Sequence, residues 1–165
     1  MKLTKKINLL TKKEFLSIFG NIFEKSDWIA DEVFNFKPFK SSNDLIIKMM
    51  NIYENSDNEK IIQIFNLHPQ LAIEKTLTSF SSKEQTGAKL NDCSKEELEE
   101  FKRLNADYKK KFGFPFIIAV KGKNRSEILN NFRHRIKNNS KIEFDEAKIQ
   151  VKKIALARLE EIFEI

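Results

Sequence analysis

The chain has 165 residues, 41% of them hydrophobic and 33% charged, a balance that fits one ordinary globular domain spanning 1–165. Its formal charge of +6 would suit a nucleic acid, but the basic residues are interleaved with acidic ones, as in KEELEEFKR and RLEE, and such dispersed charge reads as solvated surface. No run approaches the roughly 20 apolar residues of a membrane span, so neither a nucleic acid nor a membrane is expected as a partner.

Only four glycines and three prolines are present. Sandwiches and barrels need many tight turns, so this scarcity argues for helices. Thr11 and Glu14 have capping-box spacing, and Phe15, Ile18, Phe19, Ile22 and Phe23 then recur at helical intervals. A second helix is expected over about 28–36, stopped by Pro38. A third runs over about 43–53, through Leu45, Ile46, Met49 and Met50. A fourth, about 58–67, cannot pass Pro69, which leaves His68 at a helix C-terminus.

A short helix is expected over about 82–90. A long one follows over about 95–112, capped by Ser94 with Glu97 and ended by Gly113, with Leu98, Phe101, Leu104, Tyr108 and Phe112 inward. The apolar run FPFIIAV, 114–120, has a proline near its start and no helical period, and reads as extended chain. Two helices, about 126–138 and 142–163, complete the expectation of an all-α, single-domain bundle of about seven to eight helices. The backbone of the one non-helical apolar segment is a ready site for a polar ligand.

The single cysteine, Cys93, excludes an intrachain disulfide, and a reducing compartment follows naturally. The apolar run Ile7 to Leu10 is too short for a signal peptide and EIFEI is no peroxisomal address, so a cytoplasmic location is expected. Cys93 lies beside a helix cap with no histidine near it in sequence and reads as inert. One cysteine and two distant histidines offer no metal spacing, the acidic residues form no calcium loop, and no glycine-rich phosphate loop occurs.

Of the two histidines, His134 falls on the polar side of its helix and reads as a surface residue. His68 sits beside Phe65 and Leu67, where it can either satisfy the last helix carbonyls or carry chemistry. Ser81 and Glu84 again have capping-box spacing, and a helix N-terminus also offers free N–H groups to a ligand. Arg158 lies on an apolar stripe with Val151, Ile154, Ala155 and Ile162; it either snorkels or pairs with something buried, and contact with a substrate anion is the favoured reading. Arg133 and Arg135 are expected to be surface or dimer residues.

Five blocks carry a resemblance: FEKSDWIADEVFNFKPF (23–39), LHPQLA (67–72), SSKEQTGAKL (81–90), LNADYKKKFGFPFIIAVKG (104–122), and a tail running from Arg125 through Phe132, Arg135, Asn138 and Glu143 to IALARL (154–159). Together and in this order they resemble the 2-oxo-4-hydroxy-4-carboxy-5-ureidoimidazoline (OHCU) decarboxylase family. The resemblance implies an all-helical fold, a homodimer, no metal or organic cofactor, and conversion of the small ureide OHCU to (S)-allantoin, the last of three steps from urate. It places the family's catalytic histidine on His68 and the adjoining binding proline on Pro69. The substrate-binding stretch falls on Ser81, Ser82, Lys83, Glu84 and Gln85, and the backbone-lined segment on about Phe116, Ile117, Ile118, Ala119 and Val120.

In that chemistry the substrate carries its own electron sink, a ring C=N one carbon from the departing carboxylate, so the protein need supply only orientation, exclusion of water and a proton. His68 would draw that proton from the hydroxyl or deliver it to the carbanion, with Glu84 orienting the imidazole or binding ureido N–H groups. Two departures stand out: Lys89 replaces the glycine of the family's Ala-Gly-Leu, and the stretch between Ala72 and Ser81 is short. They motivate the alternatives, a catalytically altered helical binding protein on the same scaffold or a decarboxylase of a related ureide.

Overall fold

The computed structural model describes residues 2–74 and 76–165. Among these there are nine helices and no strand: α1 (Lys2–Leu9), α2 (Lys12–Phe19), α3 (Trp28–Phe34), α4 (Ser42–Glu54), α5 (Asn58–Leu67), α6 (Ser79–Gly87), α7 (Lys95–Phe112), α8 (Arg125–Arg135) and α9 (Ser140–Phe163). The all-α expectation holds, and FPFIIAV is indeed non-helical. The count exceeds the expected seven to eight because of α1.

The chain divides into two compact units, Met1–Leu67 with Lys152–Ile165, and His68–Val151. In the first, the apolar faces of α2 to α5 supply Phe15, Phe19, Ile29, Val33, Leu45, Met49, Tyr53, Ile61, Ile64 and Phe65, all at most 1% exposed, so these helical spacings face a core, whereas Ile18, expected on the same face, is 39% exposed. Phe23 stacks on Tyr53 with ring centroids 4.8 Å apart. Thr11 caps α2 with a reciprocal capping box closed by Glu14. Helix α1 has one buried apolar anchor, Ile7, and owes its place to a polar device instead. The Asn8 side chain donates to the Phe39 carbonyl (2.9 Å) and accepts from the Phe39 N–H (2.8 Å), mimicking a backbone pairing.

In the second unit, α7 begins with the expected Ser94–Glu97 capping box and ends at Gly113, whose φ of 80° lies in the left-handed region. Helix α6 starts three residues earlier than its composition suggested, because Thr78 is its N-cap: the Thr78 hydroxyl accepts from the Ser81 N–H at 3.3 Å. Ser81 is therefore an interior residue of the first turn, and the Ser81–Glu84 capping box does not form.

The C-terminus of α6 places Lys89 in its closing turn. The Leu90 N–H reaches back to the Gln85 carbonyl (2.9 Å) and the Lys89 N–H to that of Thr86 (3.0 Å), the paired bonds of a Schellman motif. Lys89 occupies its left-handed position with φ 57°, where glycine has no Cβ to strain. Arg125 braces the same turn, donating to the Lys89 carbonyl at 3.2 Å while pairing with Glu97 at 3.1 Å. The left-handed conformation costs an L-residue about 1–2 kcal/mol, and glycine returns about 0.4–1 kcal/mol of that through unfolded-state entropy. Lys89→Gly is therefore expected to raise unfolding free energy by about 0.5–1 kcal/mol, measured by urea denaturation, with turnover unchanged.

Candidate functional site

Candidate residues from three stretches of sequence all fall in the second unit. His68 follows directly on α5, where the proline after it forbids another helical turn, and the residue is buried at 8% exposure. Pro69 and Gln70 are half-buried, Leu71 is buried, and Ala72 has φ 66°. The peptide joining Leu71 to Ala72 is gripped at both ends. Asn105 of α7 donates to the Leu71 carbonyl at 3.0 Å, and the Gln85 side-chain oxygen of α6 accepts from the Ala72 N–H at 3.0 Å.

Along α6, Ser81 and Gln85 are one helical turn apart and both buried, Glu84 is half-buried, and Ser82 and Lys83 face solvent. The expected stretch is thus split by helical geometry into an inward set and an outward pair. The Gln85 side-chain nitrogen is a buried donor with no protein partner.

The non-helical segment is fixed by side chains from α7, α8 and α9. Arg135 donates to the Ile117 carbonyl at 2.6 Å, and Gln150 accepts from the Ala119 N–H at 2.9 Å while donating to Glu146 at 2.7 Å. The Phe116 ring stacks on Phe132 (centroids 3.9 Å apart, 11° between planes), meets the edge of Tyr108 at 5.4 Å, and lies 4.4 Å beneath the Arg135 guanidinium. Phe116, Ile117, Ile118 and Val120 are buried and Ala119 half-buried.

Sequence reasoning placed Arg135 at the surface or at a dimer contact, and the structure corrects that. Its side chain is 8% exposed and pairs at 2.9 Å with Glu143, which is fully buried. Glu143 also accepts the Tyr108 hydroxyl and the Asn138 amide (3.2 Å). Burial, and then the bond to Glu143, pushes the Tyr108 hydroxyl well above its ordinary pKa, keeping it a neutral donor. The clue was available in principle: Arg135 and Phe132 are three apart, so an inward phenylalanine implied an inward arginine. Arg133 behaves as expected, exposed and forked onto Glu100 at 2.7 and 2.8 Å, and His134 is exposed as well.

Arg158 belongs to the first unit, 2% exposed. It pairs with buried Glu24 at 2.9 Å and donates to the Asn21 carbonyl at 2.9 Å, the buried pairing that was the less favoured reading of its apolar stripe. Cys93 is half-buried, and burial pushes its thiol up, away from the reactive thiolate. Among the described residues no helix is long and apolar enough to cross a membrane.

A family model described as OHCU decarboxylase matches residues 8–160. A "Uric acid degradation bifunctional protein" of Bacillus sp. (strain TB-90) is 38% identical over 159 residues, covering 96% of this chain and 32% of that protein. The chain therefore spans about a third of the length of this bifunctional relative. A "2-oxo-4-hydroxy-4-carboxy-5-ureidoimidazoline decarboxylase" of Haloferax volcanii is 35% identical, covering 95% of this chain and 94% of the relative. A solved structure, "Crystal structure of OHCU decarboxylase in the presence of (S)-allantoin", superposes with a TM-score of 0.73 at 26% identity, over 88% of this chain and 97% of that one.

The buried Arg135–Glu143 pair yields a direct test. Arg135→Met strands a buried carboxylate and is expected to lower unfolding free energy by about 3–5 kcal/mol. Arg135→Met combined with Glu143→Leu should recover part of that loss, leaving only the Tyr108, Asn138 and Ile117 partners unmet; urea denaturation of the single and double variants measures the coupling.

Proposed function

The chain belongs to the OHCU decarboxylase family, and from that membership we propose that it decarboxylates OHCU to (S)-allantoin in urate degradation, with His68 moving the proton. The observation that carries this reading is the burial of His68 at the head of a loop whose backbone is gripped by α6 and α7. A surface histidine satisfying helix carbonyls needs no such support.

In the reaction the bond from ring carbon to carboxylate breaks, its electron pair flows toward the neighbouring ring C=N, carbon dioxide leaves, and the carbanion takes a proton on one face. The substrate supplies the electron sink, so the protein's share is binding, orientation and the proton, and no metal or organic cofactor is called for. Imidazole suits the last task because it titrates near neutrality. Glu84, half-buried one residue before Gln85, is assigned to orienting the imidazole or binding ureido N–H groups. The unpartnered Gln85 amide nitrogen supports a substrate contact through that residue, and buried Ser81 shares its face. Pro69 shapes the loop, while Ser82 and Lys83, on the outer side of α6, carry less of the assignment.

The segment 116–120 supplies backbone recognition. Residues two apart in extended chain turn their N–H and C=O groups to the same side, and neighbours to the opposite side. With Ile117 and Ala119 turned toward Arg135 and Gln150, the amide groups of Ile118 are the ones assigned to the substrate.

The family match takes in nearly all of both compact units, which supports reading 1–165 as one OHCU decarboxylase-like domain. A homodimer in the cytoplasm completes the proposal, and light scattering decides the stoichiometry.

With freshly prepared OHCU, the wild type should give a growing circular-dichroism signal from one allantoin enantiomer. His68→Ala should lower the rate by roughly 10²–10⁴-fold and leave the slow racemic background. A folded His68→Ala protein with full rate and chirality would remove His68 from the mechanism. Because Thr78 caps α6, Glu84→Gln removes no cap and should leave stability within about 0.5 kcal/mol while selectively lowering turnover.

A further inference from the structure

The Leu71–Ala72 peptide lies three residues beyond His68, and its two polar groups point in opposite directions, as in any trans peptide. One is taken by Gln85, already assigned to the substrate. The other is taken by Asn105. Asn105 is 1% exposed, in the middle of α7, where an amide side chain is an odd occupant of an apolar face. Its donor bond to the Leu71 carbonyl crosses 34 positions of sequence. Ala72 meanwhile keeps φ 66°, a conformation that an alanine leaves unless its peptide is held. Release of the Leu71 carbonyl would let this peptide rotate and Ala72 return to an ordinary φ, and the chain back to His68 is too short to leave the imidazole undisturbed.

We propose that Asn105 is a positioning residue for the decarboxylation. Acting through the Leu71 carbonyl, it fixes the His68–Ala72 loop so that the imidazole stands in line with the proton it moves. It has no contact with the reacting atoms. The proposal rests on the reading that His68 moves the proton, and it adds a second residue whose effect on rate is separable from its effect on stability.

Asn105→Leu removes donor and acceptor at similar size, and Asn105→Asp keeps the size but lacks the donor. Both are made in the Lys89→Gly background for extra stability, beside Ser94→Ala, which weakens the same helix at its cap without touching the loop. The expected result is a fall in kcat of roughly 10- to 100-fold with KM within about threefold, and a lower enantiomeric excess of allantoin, since small misplacements of a reacting group have effects of this size. Ser94→Ala should keep kcat and enantiomeric excess. Wild-type kcat and enantioselectivity in folded Asn105→Leu overturn the proposal, as does a rise in KM alone or an equal kcat loss in Ser94→Ala. Should neither Asn105 variant fold, the residue is a folding determinant and the proposal falls. His68→Ala is assayed in parallel: its full activity would dismiss the histidine reading, whereas its inactivity beside a fully active Asn105→Leu would dismiss only the role given to Asn105.

Discussion

The second unit depends on a carboxylate that water cannot reach. Glu143 is fully buried, and a bare charge there would be prohibitive, yet Arg135, Tyr108 and Asn138 all donate to it. The arrangement ties one residue of α9 to two near the end of α8 and to the middle of α7. Its reach extends to the segment 114–120, whose backbone cannot satisfy itself as a helix does. The same guanidinium that neutralises Glu143 also takes the Ile117 carbonyl and covers the Phe116 ring. A lysine could place charge there, but not three directed bonds and a flat face at once.

Helix α7 links this network to the loop that follows His68. Asn105 and Tyr108 stand three residues apart and so share one face, and both are buried. The first holds the loop after His68; the second holds Phe116 and Glu143. Two stretches far apart in sequence, HPQLA and FPFII, are thereby referenced to the same rigid rod, which fixes their separation better than loop-to-loop contact could. Side chains on regular elements locate backbone groups on irregular ones, and the irregular groups are those free to meet a ligand.

How much of this was legible follows from where the signal lies. Helices α5 and α7 are bounded by local chemistry, Pro69 after one and Ser94, Glu97 and Gly113 around the other, so their limits read directly from the sequence. Helix α6 was misplaced because two S/T-x-x-S/E patterns overlap: Thr78 lies one turn before Ser81, and only tertiary context selects the first as cap. Helix α1 was missed because its anchoring is the Asn8 pairing with Phe39, a contact 31 residues away that leaves no periodic trace. Arg135 and Asn105 were passed over for a common reason. A polar residue on an apolar stripe reads as an exception, whereas here each is inward because a distant backbone carbonyl needs a donor. His68 was legible only through the family resemblance, since its local setting allows a helix-end role equally well.

The same distinction bears on the alternative in which the scaffold has lost its chemistry. Its motive was Lys89, a lysine where the family has glycine, placed beside the binding helix. The structure locates that change at the left-handed residue of the turn closing α6, with its side chain exposed, while the inward face of the helix keeps Ser81 and Gln85. Glycine is favoured at such a position by backbone conformation alone. Replacing it taxes the stability of the turn, and Arg125, bonded to the Lys89 carbonyl and to Glu97, holds the turn in place regardless. The departure therefore acts on folding free energy and leaves the inward groups of α6 as they stand.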